Sequence, residues 1–396
     1  MTDTMQRRRF LKHAGVLAGV SVLPAKAIAG AEANSAVSLG LIGTGGRGQW
    51  IAEIFTKQTN ARITALHDLF DDRLGQGAQK FGVPDGKKFK GLQAYKDLLN
   101  AGVEGVLIES PPYCHPEQAL AAVEAGKHVY MAKPVAVDTA GCKDVIRGAE
   151  LAAQKKVNYL VDFQTRTHDF YKEAIRRVHE DGGIGTPVCG QIYYHAGRLG
   201  RQAVAGASAE ENRMREWVYD KALSGDIIVE QNVHVLDVCN WILGARPLAA
   251  YGTGGRKARV DVGDCWDHFI VTFYYPNDVR IDFSSNQFCK GYGDLCARVY
   301  GSGGTIDTHY EGNVTITGDK PFPGGSTQGL YYSGALTNAR AFVQGIESGK
   351  LVNNGAEAAR STQTCVLGRT AAYRQKEVTW DEVEKANERL DLRIKL

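Results

Sequence analysis

Residues 37–48 read VSLGLIGTGGRG, and this stretch decides the fold. A short apolar run typical of a buried β-strand ends at Ile42, and a G-x-G-x-x-G sequence follows at once. Residues 49–58 then place apolar side chains at helical spacing. Glycines between a strand and a helix allow a tight turn and leave the first N–H groups of the helix free for a phosphate. The order predicts a dinucleotide site, with these contacts: Gly43, Thr44, Gly45, Gly46, Arg47 and Gly48.

A second strand, at residues 62–67, ends at Asp68. An acid about twenty residues beyond the last glycine is placed to accept a hydrogen bond from a ribose 2′-hydroxyl. A carboxylate repels a 2′-phosphate, so Asp68 favours NAD over NADP. Arg73 lies close enough in sequence to leave NADP possible.

Strands and helices continue to alternate up to about residue 157. Parallel strands joined by helices are the expected architecture, and the loops at their carboxyl ends line a ligand crevice. We therefore expect residues 36–157 to form a doubly wound parallel sheet of the Rossmann type. The loop residues predicted to lie near the cofactor are Ser110, Pro111, His115, Lys133 and, at the end of the strand over 158–164, Gln164.

The second half of the chain is mostly strand. Residues 267–275 and 279–284 flank a turn, and residues 298–300 and 305–307 flank another. Hairpins with alternating patterns predict a large, open, mostly antiparallel sheet. We expect residues 158–396 to be an α+β domain.

The first 35 residues are predicted to be an export leader and a linker. They contain Arg7-Arg8-Arg9-Phe10-Leu11-Lys12, then an apolar run at 14–23 and a small-residue segment at 25–29, which are the three parts of a secretory signal. Paired arginines here are typical of the twin-arginine pathway. The apolar run of roughly ten residues is shorter than the roughly twenty that a membrane span needs. We expect a periplasmic protein with no membrane span in its mature chain.

Composition limits the remaining classes of function. The chain is 43% hydrophobic and 23% charged, as in an ordinary globular protein. Its net charge of +3 resides in the leader, where five Lys or Arg face one acid over residues 1–29. The near-neutral remainder lacks the electrostatic footprint of a nucleic-acid or membrane binder. The eight cysteines show no C-x-x-C spacing, so we expect mostly buried thiols and no bound metal.

Four segments together resemble the Gfo/Idh/MocA family, named for glucose-fructose oxidoreductase, inositol dehydrogenase and MocA. They are the GTGGRG turn, the Ser110-Pro111-Pro112 loop with His115, the Ala132-Lys133-Pro134 turn and residues 183–187. The resemblance covers nearly all of the chain after the leader. It implies an NAD(P)-dependent oxidoreductase that acts on a sugar or sugar derivative. It also implies that residues 158–396 bind the substrate and form a homo-oligomer through the open sheet.

The resemblance also implies catalytic residues. In the family a Glu-Lys-Pro turn directs its lysine to the substrate hydroxyl and the nicotinamide ribose; this chain keeps Lys133 but has Ala132 in place of the glutamate. Glu230 and His234 match an acid and a histidine that inositol dehydrogenase-like members carry four residues apart. On one helix these side chains share a face. His234 is then the base that takes the hydroxyl proton, and Lys133 polarises the developing oxyanion.

Further polar and aromatic residues are candidates for binding a polyhydroxylated substrate. Asp237, three residues after His234, is placed to hold the imidazole in one tautomer. The other candidates lie at strand ends of the second half or are aromatic rings able to stack on a sugar: Arg166, Tyr194, His195, Arg198 and Trp266.

Export narrows the mechanism, because a periplasm-like compartment has no general pool of free NAD. The cofactor must travel bound and be restored in each cycle. One alternative is a redox-neutral glycoside hydrolase or lyase that works through a transient keto-sugar, with Tyr193 or Tyr194 as base. A second alternative is a nicotinamide-binding protein without catalysis.

Overall fold

The computed structural model describes residues 36–393, so the predicted leader lies outside the described residues. The described chain has two sheets, one formed by the first half and one by the second. None of the helices within residues 36–393 combines the length and the apolar character of a membrane span.

The first sheet has six strands, all parallel, in the order β3-β2-β1-β4-β5-β6. This is the predicted Rossmann sheet. The strands are β1 Val37–Ile42, β2 Ala61–Asp68, β3 Lys88–Lys90, β4 Gly105–Ile108, β5 His128–Met131 and β6 Tyr159–Val161. The helices between them are α1 Gly46–Gln58, α2 Asp71–Phe81, α3 Tyr95–Leu99, α4 His115–Glu124 and α5 Thr139–Lys155.

Strand β6 is shorter than the sequence predicts. It ends at Val161, and residues Gln164–Thr167 form a 3-10 turn. The side chain of Thr167 donates a hydrogen bond to the carbonyl of Gln164 at 2.7 Å, which stabilises the turn in place of further strand pairing.

The second sheet has nine strands in the order β14-β13-β12-β11-β7-β10-β9-β8-β15. All of its pairs are antiparallel except β7 with β10. Its strands are β7 Pro187–His195, β8 Ala249–Gly255, β9 His268–Tyr274, β10 Arg280–Asn286, β11 Asp294–Gly301, β12 Gly304–His309, β13 Asn313–Gly318, β14 Phe322–Ser326 and β15 Val378–Thr379. The predicted open, mostly antiparallel sheet is confirmed.

The helices of the second half are α6 Asp169–His179, α7 Ala209–Arg215, α8 Lys221–Ser224, α9 Ile227–Glu230, α10 Val233–Leu243, α11 Leu330–Ser348, α12 Gly355–Arg374 and α13 Trp380–Ala386. Helices α10 and α12 cover one face of the nine-stranded sheet through buried apolar side chains. Helix α11 returns to the first half, where Ala339 and Phe342 join the core formed by β1 and α1. The two halves therefore share a hydrophobic core.

The expectation of mostly buried thiols is also confirmed. All eight are free, and five are buried. The buried ones are Cys142, Cys239, Cys265, Cys296 and Cys365.

Candidate functional site

The predicted fingerprint forms a tight turn between β1 and α1. Gly43 has a φ of +90°, and a Cβ atom at Gly48 would lie 2.0 Å from the carbonyl oxygen of Gly43. Only glycine fits that contact without moving the backbone. Helix α1 begins at Gly46 with no side-chain cap, so its N-terminus faces the crevice with donors available for a pyrophosphate.

Asp68 stands at the carboxyl end of β2, beside this turn. Its carboxylate accepts hydrogen bonds from the backbone N–H of Thr44 at 2.8 Å and of Phe70 at 3.1 Å. These bonds fix the carboxylate at the wall of a cavity of about 290 Å³. From the first half, the wall includes Gly43, Gly46, Arg47, Asp68, Glu109, Ser110 and Pro111. The turn, the helix end and the fixed acid together fit a dinucleotide.

The segment 199–217, which we call the strap, covers this cavity from the second half. Gln202, Met214, Arg215 and Trp217 complete the cavity wall. The guanidinium of Arg215 forms two hydrogen bonds with Asp72 on α2, at 2.8 and 3.1 Å. The same guanidinium lies 4.0 Å from the ring centroid of Phe70.

A second cavity, of about 310 Å³, adjoins the first. Arg47, Glu109 and Ser110 line both. The second cavity also contains Lys133, Gln164, Tyr194, Glu230, His234 and Tyr331. The structure thus places the three predicted catalytic residues in a single cavity next to the nucleotide cavity.

Lys133 and Glu230 form a pair in this second cavity. The Lys133 Nζ donates to the backbone carbonyl of Glu230 at 2.6 Å and lies 3.3 Å from its Oε1. Both side chains are largely buried, with exposed fractions of 11% and 13%. A buried ammonium with one charged partner keeps further donor capacity for a substrate oxygen.

His234 is buried, and its Nδ1 has no hydrogen-bond partner among the described residues. Burial, with the nearby positive charges of Lys133 and Arg47, lowers the pKa of His234 well below its usual value. The imidazole is therefore neutral at neutral pH and is able to accept a proton.

The sequence predicts that Glu230 and His234 lie on one continuous helix, but the structure shows two helices. Helix α9 ends at Glu230 and α10 begins at Val233, with the N–H of Asn232 donating to the carbonyl of Ile227 at 3.1 Å. Both side chains nevertheless line the second cavity.

Asp237 does not hold the imidazole of His234. It is fully buried and accepts two hydrogen bonds from Arg166, each of 2.9 Å, and one from Ser361 at 2.7 Å. The Arg166 guanidinium also lies 5.1 Å from the ring centroid of Trp241. Neither Asp237 nor Arg166 is in the wall of the second cavity. The two residues bind each other and do not make the predicted substrate contacts.

Strand β7 separates the predicted pair Tyr194 and His195, because successive side chains of a strand point to opposite faces. Tyr194 lines the second cavity. His195 stacks on Tyr193, with ring centroids 5.5 Å apart, and its Nδ1 lies 2.7 Å from the side-chain amide nitrogen of Asn286. His195 therefore lies on the other face of the sheet, away from this cavity.

Two further candidates are also directed elsewhere. Arg198 forms an ion pair with Asp261 at 2.6 Å. Trp266 stacks on Tyr373 with ring centroids 4.0 Å apart and packs against the hydrophobic core. Sequence position alone did not distinguish these packing and ion-pair contacts from substrate contacts.

His115 lines the second cavity, but its two ring nitrogens already have partners. Nδ1 lies 2.8 Å from the carbonyl oxygen of Pro134, and Nε2 lies 2.8 Å from that of Ser110. The buried ring thus joins the two loops that carry Ser110 and Lys133. In the structure His115 fixes these two loops. The cofactor contact that the sequence predicts for it stays a prediction.

The structure adds residues that the sequence did not point to. Arg47 bonds to Asp162 at 2.7 Å and to the hydroxyl of Tyr331 at 2.8 Å. Asp162 follows β6, a strand-end position that does carry a sequence signal. Tyr331 is far along the chain, at the start of α11, and only the return of that helix brings it here.

A group of possible metal ligands lies outside the site. Single ligand atoms of Cys296, Asp307 and His309 lie within 4.8 Å of one another. His309 contacts Asp307 at 3.2 Å and Asp294 at 2.8 Å. The hydrogen bonds to Asp307 and Asp294 raise the pKa of His309 to about 9. These contacts describe an ion-pair cluster on the face of the sheet.

Comparison with known proteins agrees with the class that the fold and the site define, an NAD-binding oxidoreductase. Residues 37–163 match the oxidoreductase family with an NAD-binding Rossmann fold, and residues 173–307 match the GFO/IDH/MocA C-terminal domain. The chain belongs to the Gfo/Idh/MocA family.

The similar curated proteins include inositol dehydrogenases. Inositol 2-dehydrogenase 3 of Saccharopolyspora erythraea is 27% identical over 272 residues, 68% of this chain and 72% of that protein. Myo-inositol 2-dehydrogenase of Thermotoga maritima is 25% identical over 327 residues, 79% of this chain and 89% of that protein.

Solved structures share the fold. Aldose-aldose oxidoreductase from Caulobacter crescentus, complexed with glycerol, gives a TM-score of 0.69 at 17% identity and covers 87% of this chain and 99% of its own. Scyllo-inositol dehydrogenase from Lactobacillus casei, with bound NAD(H) and scyllo-inositol, gives a TM-score of 0.68 at 18% identity. The match covers 88% of this chain and 100% of that protein.

Proposed function

We propose that this protein oxidises one carbinol of a cyclitol or sugar by hydride transfer, with Lys133 and His234 as its catalytic residues. The observation that carries the proposal is the adjacency of the two cavities, which share Arg47, Glu109 and Ser110. The residues of the first cavity would hold a dinucleotide, and the shared wall would let its nicotinamide reach Lys133 and His234. The inositol dehydrogenases among the relatives support the substrate class.

The residues of the chain perform the proton half of the reaction. His234 accepts the hydroxyl proton while Lys133 donates a hydrogen bond to the same oxygen and stabilises its developing negative charge. The carbon–oxygen bond becomes a carbonyl as the carbon loses its hydride. A bound nicotinamide supplies the hydride acceptor. Glu230 holds Lys133 in the second cavity through the contacts described above.

Neither of the two tyrosines suggested as the base supports the redox-neutral alternative. Tyr193 lies on the opposite face of β7 from Tyr194, and burial raises the pKa of Tyr194 above its usual value. A tyrosine with a raised pKa is a weaker candidate for proton abstraction near neutral pH. The relatives described above carry the names of dehydrogenases and oxidoreductases, which also favours hydride transfer as the net chemistry.

We further propose that the cofactor stays bound through each cycle and leaves the cytoplasm with the protein. The strap supports this proposal, because it covers the nucleotide cavity and is attached to the first half by Arg215. Met214 also packs with Leu223 and Leu392 in a separate hydrophobic cluster. A segment held by an ion pair and an apolar cluster must move before a nucleotide in this cavity departs. The predicted twin-arginine leader supplies the export part.

A homo-oligomer formed through the nine-stranded sheet is also part of this proposal. Helices cover one face of the sheet, and the other face exposes apolar side chains, with Tyr251 47% and Ile270 53% exposed. A second copy would cover them. Light scattering of Ile270→Asp beside the wild type tests this, and an unchanged mass would count against the interface.

The catalytic proposal is tested on the purified chain with inositols and aldoses and without added cofactor, by the absorbance of reduced nicotinamide. We expect one class of polyol to reduce the bound cofactor. Lys133→Met and His234→Asn should each slow this step by about a hundredfold or more. The matched control is Lys127→Met, which changes the lysine at the opposite end of β5, whose Nζ donates to the Val103 carbonyl at 2.9 Å. Equal rates in the wild type and both site variants would contradict the proposal.

A further inference from the structure

Glu109 is a buried carboxylate without hydrogen bonds, located where the two cavities meet. Its side chain is 0% exposed, and it lines both cavities. Neither carboxylate oxygen has a hydrogen-bond donor among the described residues. Its Oε2 lies 3.1 Å from the Nε of Arg47, with which it forms an ion pair. Buried carboxylates normally accept hydrogen bonds, so this one has unused acceptor capacity facing the site.

The parallel pairing of β4 and β5 places Glu109 beside Ala132. Ile108 pairs with Met131 in the register of the two strands, and Glu109 and Ala132 are the residues that follow. The N–H of Ala132 donates to the carbonyl of Ile108 at 3.0 Å, so the pairing extends to this point. Neighbouring strands lie about 4.8 Å apart. A carboxylate on residue 109 therefore reaches the space that a side chain on residue 132 would fill.

The charges around Glu109 connect it to Lys133. Burial raises the pKa of Glu109 to about 7, while the positive charges of Arg47 and Lys133 act in the opposite direction. Lys133 directly follows Ala132 and lines the second cavity with Glu109. Arg47 has a further acid, Asp162, at 2.7 Å, so neutralising Arg47 does not by itself require Glu109.

We propose that Glu109 is a positioning residue for Lys133, and that it supplies from β4 the carboxylate that Ala132 does not supply from β5. The inference rests on the proposed function, in which Lys133 polarises the substrate oxygen. Glu109 and Glu230 then flank the lysine, one from each half of the chain. Glu230 holds its amine in the cavity, and Glu109 directs it toward the nucleotide.

The test compares Glu109→Gln, Glu109→Ala, the double variant Glu109→Ala/Ala132→Glu and a control, Glu104→Gln. Glu104 precedes the opposite end of β4, where its Oε2 accepts from the N–H of Ser38 at 2.8 Å. The first measurement needs no turnover: an amine-directed acylating reagent is applied, and its rate of reaction with Lys133 is followed by peptide mass spectrometry. Above the pKa of Glu109, about 7, we expect Lys133 to react at least about threefold faster in Glu109→Gln, because its amine then loses one of the two carboxylates that restrain it. The control should match the wild type.

The second measurement is the rate of cofactor reduction by the polyol found above. Glu109→Ala should slow reduction by roughly a hundredfold, and adding Ala132→Glu should recover at least about a tenth of the wild-type rate. Unchanged labelling of Lys133 in Glu109→Gln, or no recovery in a folded double variant, would overturn the proposal. If no polyol reduces the cofactor, the proposed function fails, while the labelling comparison still decides the role of Glu109.

Discussion

Arg215→Ala is the change that most sharply probes retention of the cofactor. Arg215 ends α7 and attaches the strap to α2 through Asp72. The Asp72 side chain is 50% exposed, so we assign the ion pair no more than about 1 kcal/mol. The guanidinium over Phe70, at 4.0 Å, adds about 1 kcal/mol. Removing both favours the open strap by roughly 2 kcal/mol, which corresponds to about thirtyfold.

If release of the nucleotide requires the strap to open, Arg215→Ala should release it about thirtyfold faster. The assay loads the protein with reduced cofactor, adds excess oxidised cofactor and follows the loss of nicotinamide fluorescence. Arg213→Ala is the matched control, because Arg213 is on the same helix but pairs with Asp220 and is not in the wall of the nucleotide cavity. Equal release rates in Arg215→Ala and the wild type would refute the role of the strap.

Two further predictions concern stability, each measured by urea unfolding. Asp237→Ala removes a fully buried carboxylate from Arg166 and should lower the free energy of unfolding by about 3 kcal/mol. Glu357→Ala, which removes the exposed partner of the same arginine, should cost less than about 1 kcal/mol; equal losses would contradict the structural role of Asp237. His234 stays neutral in the folded protein but takes up a proton below about pH 6.5 in the unfolded chain. Its contribution to the free energy of unfolding is therefore complete above that pH and is lost as pH falls, by up to about 1.4 kcal/mol per pH unit. His234→Asn should remove that much of the slope between about pH 6 and pH 5, and an unchanged slope would show that the imidazole is not buried and neutral.

The first half of the fold was predictable from sequence because its signals are local. Apolar strands, the glycine turn and Asp68 follow one another within a short stretch, and each has one physical interpretation in that order. The position of Lys133 was predictable for the same reason, since it follows a buried strand at the carboxyl edge of a parallel sheet.

The second half was harder to interpret because its site depends on direction and on distant contacts. The period of a strand separates Tyr194 from His195, and treating both as strand-end ligands ignored that period. The break before Val233 and the pairing of Arg166 with Asp237 depend on tertiary partners such as Ser361. Likewise, the space beside Lys133 that Glu109 occupies follows from strand register, which the sequence of either strand does not show alone.

The most direct test of the proposed reaction follows the hydride itself. A polyol that reduces the bound cofactor is prepared with deuterium on the carbinol carbon, and the nicotinamide released after a single turnover is examined by mass spectrometry. Direct transfer predicts a reduced cofactor heavier by one deuterium, formed with a primary isotope effect in the wild type and not detectably in Lys133→Met over the same time. Reduced cofactor without deuterium, or turnover of the polyol that leaves the cofactor oxidised throughout, would contradict hydride transfer at this site.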